Sequence, residues 1–338
     1  MSSLSPSQLT YQLNYIPIVG FSASCVKSFF LVIIPTYFHS FSTLQAGPVS
    51  HFSMQYSKCF ALLSFVSGAV AQQCTLQFDG RIPVGTEVEA FDANNNIFNP
   101  KNVVGAGLTF SQVLQLPNEN SSPFDGNDNV PLAVAISDQS IFNNQTSFRR
   151  AELIPASNSG TDASTTGIKT LHFSIQKDAQ RPLNLSHEYQ MAFLESNDFS
   201  TNQVVLKAGT ILGGDPNADP DTLTLFGNVN TKPAPPVLFS TSFTEGVVHN
   251  FAVTLNFDAN TAQVFYSTDN NDLEAQGDVQ VNNVTGQGQY HFGLLKKPVG
   301  GQGDITKNGF QPAGIDEAVI YSGVFQEDSA NGCISLAP

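Results

Sequence analysis

Tryptophan is absent from this chain of 338 residues, and charge is scarce, at 12% of positions. Without tryptophan, any aromatic surface offered to a ligand must come from the 27 Phe and 8 Tyr. Basic residues number 14 against 28 acidic, a net charge of −14. That balance excludes nucleic acid as a natural partner, because such binding rests on Lys and Arg neutralising phosphates. It equally disfavours an anionic membrane surface or an acidic polysaccharide, and a neutral polymer fits better. There is no Gly-x-Ser-x-Gly elbow, phosphate loop or dinucleotide fingerprint. His172, His187, His249 and His291 are scattered without the close pairing of a zinc helix, so no metal and no cofactor are expected. No hydrophobic run is long enough to span a bilayer. The best, Ser28 to Phe38, is broken by Pro35 and falls short of the roughly 20 residues required.

The first 53 residues contain no Asp or Glu and do not read like the rest. A better targeting signal starts at Met54: Lys58 supplies a positive start, Cys59 to Val66 an apolar stretch, and Ala69-Val70-Ala71 a small-residue cleavage pattern. Residues 54–71 are therefore expected to be a secretory signal peptide, with residues 1–53 an upstream extension outside the mature fold. The mature chain, residues 72–338, is expected to form one domain, extracellular and monomeric. Cys25 and Cys59 fall in the part expected to be removed, which leaves Cys74 and Cys333, one near each end. In an exported protein an even pair predicts a disulfide. Asn120, Asn144, Asn184 and Asn283 begin Asn-x-Ser/Thr motifs, candidate glycosylation sites on a eukaryotic secretory route.

Along the mature chain the pattern is β almost throughout. Runs such as 132–136, 170–175, 189–194, 203–207, 251–257, 263–267, 290–295 and 317–321 are rich in β-branched, aliphatic and aromatic residues, separated by Gly, Asn, Asp, Pro and Ser. Many short strands predict an all-β fold, a jelly roll or two-sheet antiparallel sandwich with an open groove. The one helix candidate, Thr109–Leu116, ends before Pro117. The segment 213–236 reads as a long loop. Its acids Asp215, Asp219 and Asp221 resemble half a calcium loop but lack the Gly and terminal Glu, so a solvated turn is expected.

Against this background Phe148-Arg149-Arg150-Ala151-Glu152-Leu153 stands out, with three charges in four positions. Strand alternation points Arg150 and Glu152 one way and Ala151 and Leu153 into the core. A carboxyl beside a guanidinium suits sugars, since the acid can exchange a proton at a glycosidic oxygen while the arginine orients it. A structural ion pair on an exposed sheet is the plainer reading. In residues 170–175, His172 and Ser174 oppose Leu171, Phe173 and Ile175, and would share the Arg150–Glu152 face if the strands pair. Gln289 and His291 likewise oppose Tyr290, Phe292 and Leu294. Glu188 and Glu195 lie an odd number of positions apart, so they face opposite sides unless a bulge intervenes.

Several blocks together resemble glycoside hydrolase family 131: FRRAELIP (148–155), GTDASTTGIKTLHFS (160–174), RPLNLSHEYQMAFLESNDFST (181–201), GQGQYHFGLLKKP (286–298) and GFQPAGIDEAVIYSGVFQED (309–328). The resemblance runs from about Cys74 to the C-terminus. It implies a secreted fungal β-glucanase with a jelly-roll domain that hydrolyses β-1,3-, β-1,6- and β-1,4-glucans with inversion, and glutamates as its catalytic groups. Glu152 is the position it marks most clearly; the second acid is Glu195 or Glu188. Inversion requires an acid for the leaving oxygen and a base for water, roughly 6.5–9.5 Å apart. Arg150, His172, Gln289 and His291 are then expected to bind or orient substrate. Two other readings remain: a non-catalytic glucan-binding jelly roll, and a polysaccharide lyase acting by β-elimination.

Overall fold

In the computed structural model, residues 74–93, 97–100 and 103–338 are described; the expected signal peptide and upstream extension, with Cys25 and Cys59, lie outside them. Short β-branched and aromatic runs pair into two large antiparallel sheets. The first has nine strands. Its centre is Ile168–Lys177, flanked by His249–Asn256 and Asp316–Asp328, with Thr261–Thr268 and Leu132–Ser137 outside these. The second has six strands, in the order Val237–Ser242, Thr222–Phe226, Asn202–Gly209, Glu188–Ser196, Gly288–Lys296 and Arg149–Leu153.

One side of each sheet is apolar, and the two apolar sides meet in a single core. Phe173, Ile175, Phe251 and Val253 come from the nine-stranded sheet; Leu153, Met191, Leu194, Leu206, Tyr290 and Phe292 come from the six-stranded sheet. This is a sandwich of the jelly-roll kind, with the helical content limited to short 3-10 turns among the described residues. Every strand read from the sequence is present. The helix candidate is not: Phe110–Gln112 makes one 3-10 turn, closed by Thr109 and Gln112, and Leu114–Gln115 then joins the sheet. The segment 213–236 is not one loop, because Thr222–Phe226 inside it is a strand of the six-stranded sheet. Asp215 and Asp219 cap their own turns, accepting from the backbone N–H of Asn217 and Asp221 at 2.9 Å each.

Leu76–Asp79 lies against Asp316–Asp328, and a disulfide joins Cys74 to Cys333 across 259 residues of sequence. Asn120, Asn144, Asn184 and Asn283 are all exposed. No helix among the described residues is long and apolar enough to cross a membrane.

Candidate active site

The outward face of the six-stranded sheet carries the polar residues. Arg149–Leu153 is its edge strand and pairs with Gly288–Lys296, setting Glu152 opposite Gly293. A Cβ on Gly293 would meet the Ala151 carbonyl oxygen at 2.1 Å and the Glu152 Cα at 2.6 Å, so only glycine lets these strands approach at this point. On the other side, His291 stands opposite Phe193 and Gln289 opposite Glu195.

The strand Glu188–Ser196 does not alternate regularly. Its register against Asn202–Gly209 shifts between Gln190 and Phe193, and Met191 and Ala192, although consecutive, are both in the core. This bulge restores Glu188 and Glu195 to a common outward face despite their odd separation. They nevertheless have different surroundings. Glu188 is buried and clamped: Lys297 Nζ at 2.8 Å, Lys207 Nζ at 2.9 Å and the Leu212 backbone N–H at 2.9 Å share its carboxylate. Burial alone would raise its pKa, but the two ammonium groups prevail and hold it at about 2.

The sheet joins four of the singled-out residues in a chain. Arg150 grips both oxygens of Glu152, Nε to Oε1 and Nη2 to Oε2 at 2.7 Å each. His291 Nδ1 donates to Glu152 Oε2 at 2.7 Å, and His291 Nε2 faces Glu195 Oε2 at 3.6 Å. The imidazole is fixed in plane by Phe193, with centroids 4.4 Å apart and planes 11° from parallel. Gln145 Oε1 accepts from Arg150 Nη1 at 3.1 Å, and the guanidinium lies 5.6 Å from the Phe142 ring. Each group is thus held by the next, which fixes the imidazole's tautomer: with an ionised carboxylate at Nδ1, that nitrogen carries the proton. Nε2 is buried and has no hydrogen-bond partner.

The two carboxyls are unlike. Glu152 is wholly buried, at 0% exposure, with both oxygens engaged. Burial would raise its pKa, but the Arg150 charge and the His291 contact outweigh this and hold it down to about 2. It is a permanent carboxylate turned away from solvent, so its influence passes through His291. Glu195, at the strand end, has 26% of its side chain exposed. Among the described residues its carboxylate accepts no hydrogen bond. Burial raises its pKa, with His291 and Arg150 opposing only in part. That is the environment of a carboxyl that keeps its proton for delivery.

Gln289 borders Glu195 and donates from Nε2 to the Asn158 carbonyl at 2.9 Å. Asn158 is a site residue that sequence reasoning missed; its side chain also accepts from the Tyr290 N–H and donates to the Gly288 carbonyl, docking the 155–166 loop on this strand. Phe193 was missed as well. His172 does not belong here. Its strand lies in the other sheet, where His172 faces away from the core, donates to or accepts from Glu327 at 3.0 Å and stacks on Phe325 at 4.2 Å. The expected sharing of a face with Arg150 fails because the two strands never pair. Among the described residues no group of His, Cys, Asp or Glu converges as a metal site would require.

Comparison with known proteins agrees with this architecture. The glycoside hydrolase 131 catalytic N-terminal domain matches residues 76–332. The fold resembles a family 131 β-glucanase catalytic domain from Podospora anserina, at 22% identity and a TM-score of 0.61, covering 78% of this chain and 98% of that one. It also resembles the catalytic domain of a family 131 protein from Coprinopsis cinerea, at 23% identity and a TM-score of 0.60, with the same coverage of 78% and 98%. A search among curated proteins finds no match. The length of the domain match makes the conclusion plain: the chain belongs to glycoside hydrolase family 131 and is a glycoside hydrolase.

Proposed function

We propose that this enzyme is a secreted β-glucanase whose proton donor is Glu195, with Arg150 and Glu152 acting through His291. The observation that carries the reading is the Arg150–Glu152–His291–Glu195 chain, which ends on one partly exposed carboxyl of raised pKa. The net charge of −14 favours a neutral glucan over a uronic acid polymer. A lyase substrate would be repelled. The resemblance to a β-glucanase domain agrees with the same substrate class.

In this mechanism the Glu195 proton passes to the glycosidic oxygen as the anomeric C–O bond breaks. Water on the opposite face of the sugar ring attacks the anomeric carbon. Its proton passes to solvent, while His291, held by Glu152, positions the Glu195 carboxyl. Glu195 holds no hydrogen bond that a sugar would have to break, so its carboxyl can turn from His291 toward the substrate. When product leaves, the partly exposed Glu195 takes a proton back from solvent.

Glu188 takes no part in this scheme, since two lysines occupy it. The signal-peptide pattern at 54–71 and the Cys74–Cys333 disulfide support export. The test is incubation of the protein from Gln72 onward with laminarin, pustulan and a cellulosic substrate, following product anomers by proton NMR. Hydrolysis with inversion supports the reading. Binding without new reducing ends would show a glucan-binding module, and products absorbing in the ultraviolet would show a lyase.

A further inference from the structure

Phe199 lies at the tip of the hairpin that joins Glu188–Ser196 to Asn202–Gly209, four residues beyond Glu195. The residue is 73% exposed, among the most open of the large apolar residues described. A lone exposed hydrophobic residue is ordinary. The backbone here is not ordinary, because Phe199 sits at a φ of +58°. Left-handed positions favour Gly or Asn, and a bulky aromatic there is uncommon. Packing gives no reason for the ring, and the backbone gives a reason against it. Its explanation therefore lies outside the fold.

The tip is also built to stay in place. The Phe199 N–H donates to the Ser196 carbonyl at 2.8 Å. Asp198 Oδ1 accepts from Ser196 Oγ at 2.6 Å and from Ser200 Oγ at 2.7 Å. Asn230 Nδ2 donates to the Ser200 carbonyl at 2.9 Å, tying the hairpin to the neighbouring loop. Such a frame keeps the ring raised without using it as core.

We infer that Phe199 is a sugar-stacking platform for a glucosyl unit of a long neutral β-glucan, away from the bond being cut. This rests on the glucanase reading above and extends it to how the polymer is held. Four residues span at most about 14 Å, so the ring stands within a few sugar units of Glu195. The flat apolar face of a β-glucosyl ring matches an exposed phenyl face, and the chain has no tryptophan to fill that role. Stacking at a distance from the scissile bond acts equally on ground and transition states, so it lowers KM rather than raising kcat.

The experiment compares wild type with Phe199→Asn and Phe199→Tyr on soluble laminarin, measuring KM, kcat, melting temperature and mobility in laminarin-containing native gels. Asparagine suits the left-handed backbone, so Phe199→Asn keeps or raises the melting temperature. It is expected to raise KM about three- to tenfold, with less than about a twofold change in kcat, and to lose gel retardation. Phe199→Tyr restores wild-type KM and retardation. If Phe199→Asn matches wild type in KM and mobility while wild type hydrolyses laminarin, the platform is refuted and the glucanase reading stands. If wild type neither hydrolyses nor is retarded by laminarin, pustulan or a soluble cellulosic substrate, both fall.

Discussion

His291 donates from Nδ1 to the carboxylate of Glu152 at 2.7 Å, and this pair sets what the site can do. A carboxylate held at about 2 by Arg150 and His291 stays charged at any working pH. It can orient His291, and through it Glu195, without taking up or releasing a proton itself. Glu152→Gln keeps the shape and removes the charge. Its kcat on laminarin is expected to fall by about 100-fold or more, with KM changing less than about threefold. Equal losses in KM and kcat would point instead to a collapsed binding face.

The pH dependence follows from Glu195. A proton donor works only while protonated, and burial raises this carboxyl above the ordinary glutamate value of 4.5. The rate should therefore decline as pH rises through a value above 4.5, not at it. A pH–rate profile of kcat checks this. A basic limb lying below 4.5 would contradict the assignment.

Glu188 serves stability. Its folded pKa of about 2 lies below the ordinary glutamate value of 4.5, so its contribution is full above about 4.5 and fades as pH falls toward 2. Glu188→Gln leaves Lys207 and Lys297 without their partner. It is expected to cost about 1–3 kcal/mol at pH 7, a range held low because both ammonium groups touch solvent. Urea unfolding at about pH 7 and about pH 3 should show the gap between variant and wild type shrinking with acid.

How far these roles could be read in the sequence depends on what each one needs. Alternation alone placed Arg150 and Glu152 on one face, and Gln289 and His291 on one face, because both strands are regular there. Joining the two pairs required knowing that these strands are neighbours, which local pattern does not contain. The same gap misplaced His172, whose strand has equally clean alternation but lies in the other sheet. For Glu188 and Glu195 the deciding feature was the bulge at Met191 and Ala192, and apolar residues on both sides of a bulge look like any buried run. Glu152 was expected to meet the sugar directly. Its complete burial comes from Arg150 and His291 closing over it, a tertiary effect.

The Cys74–Cys333 bridge joins residues 259 positions apart, fastening Leu76–Asp79 to the long strand Asp316–Asp328. A crosslink over so long a loop restricts the unfolded chain most. Cys74→Ser paired with Cys333→Ser is expected to lower stability by about 2–5 kcal/mol. Calorimetry should show a lower melting temperature with activity retained below it; an unchanged melting temperature would deny the bridge this role.

Glu195→Gln tests the central assignment most directly, because it removes the transferable proton and leaves the buried Arg150–Glu152–His291 contacts in place. Reducing ends released from laminarin, measured on folded protein of confirmed melting temperature, should fall by about 100- to 10,000-fold. A variant that still hydrolyses within about tenfold of wild type would contradict the account.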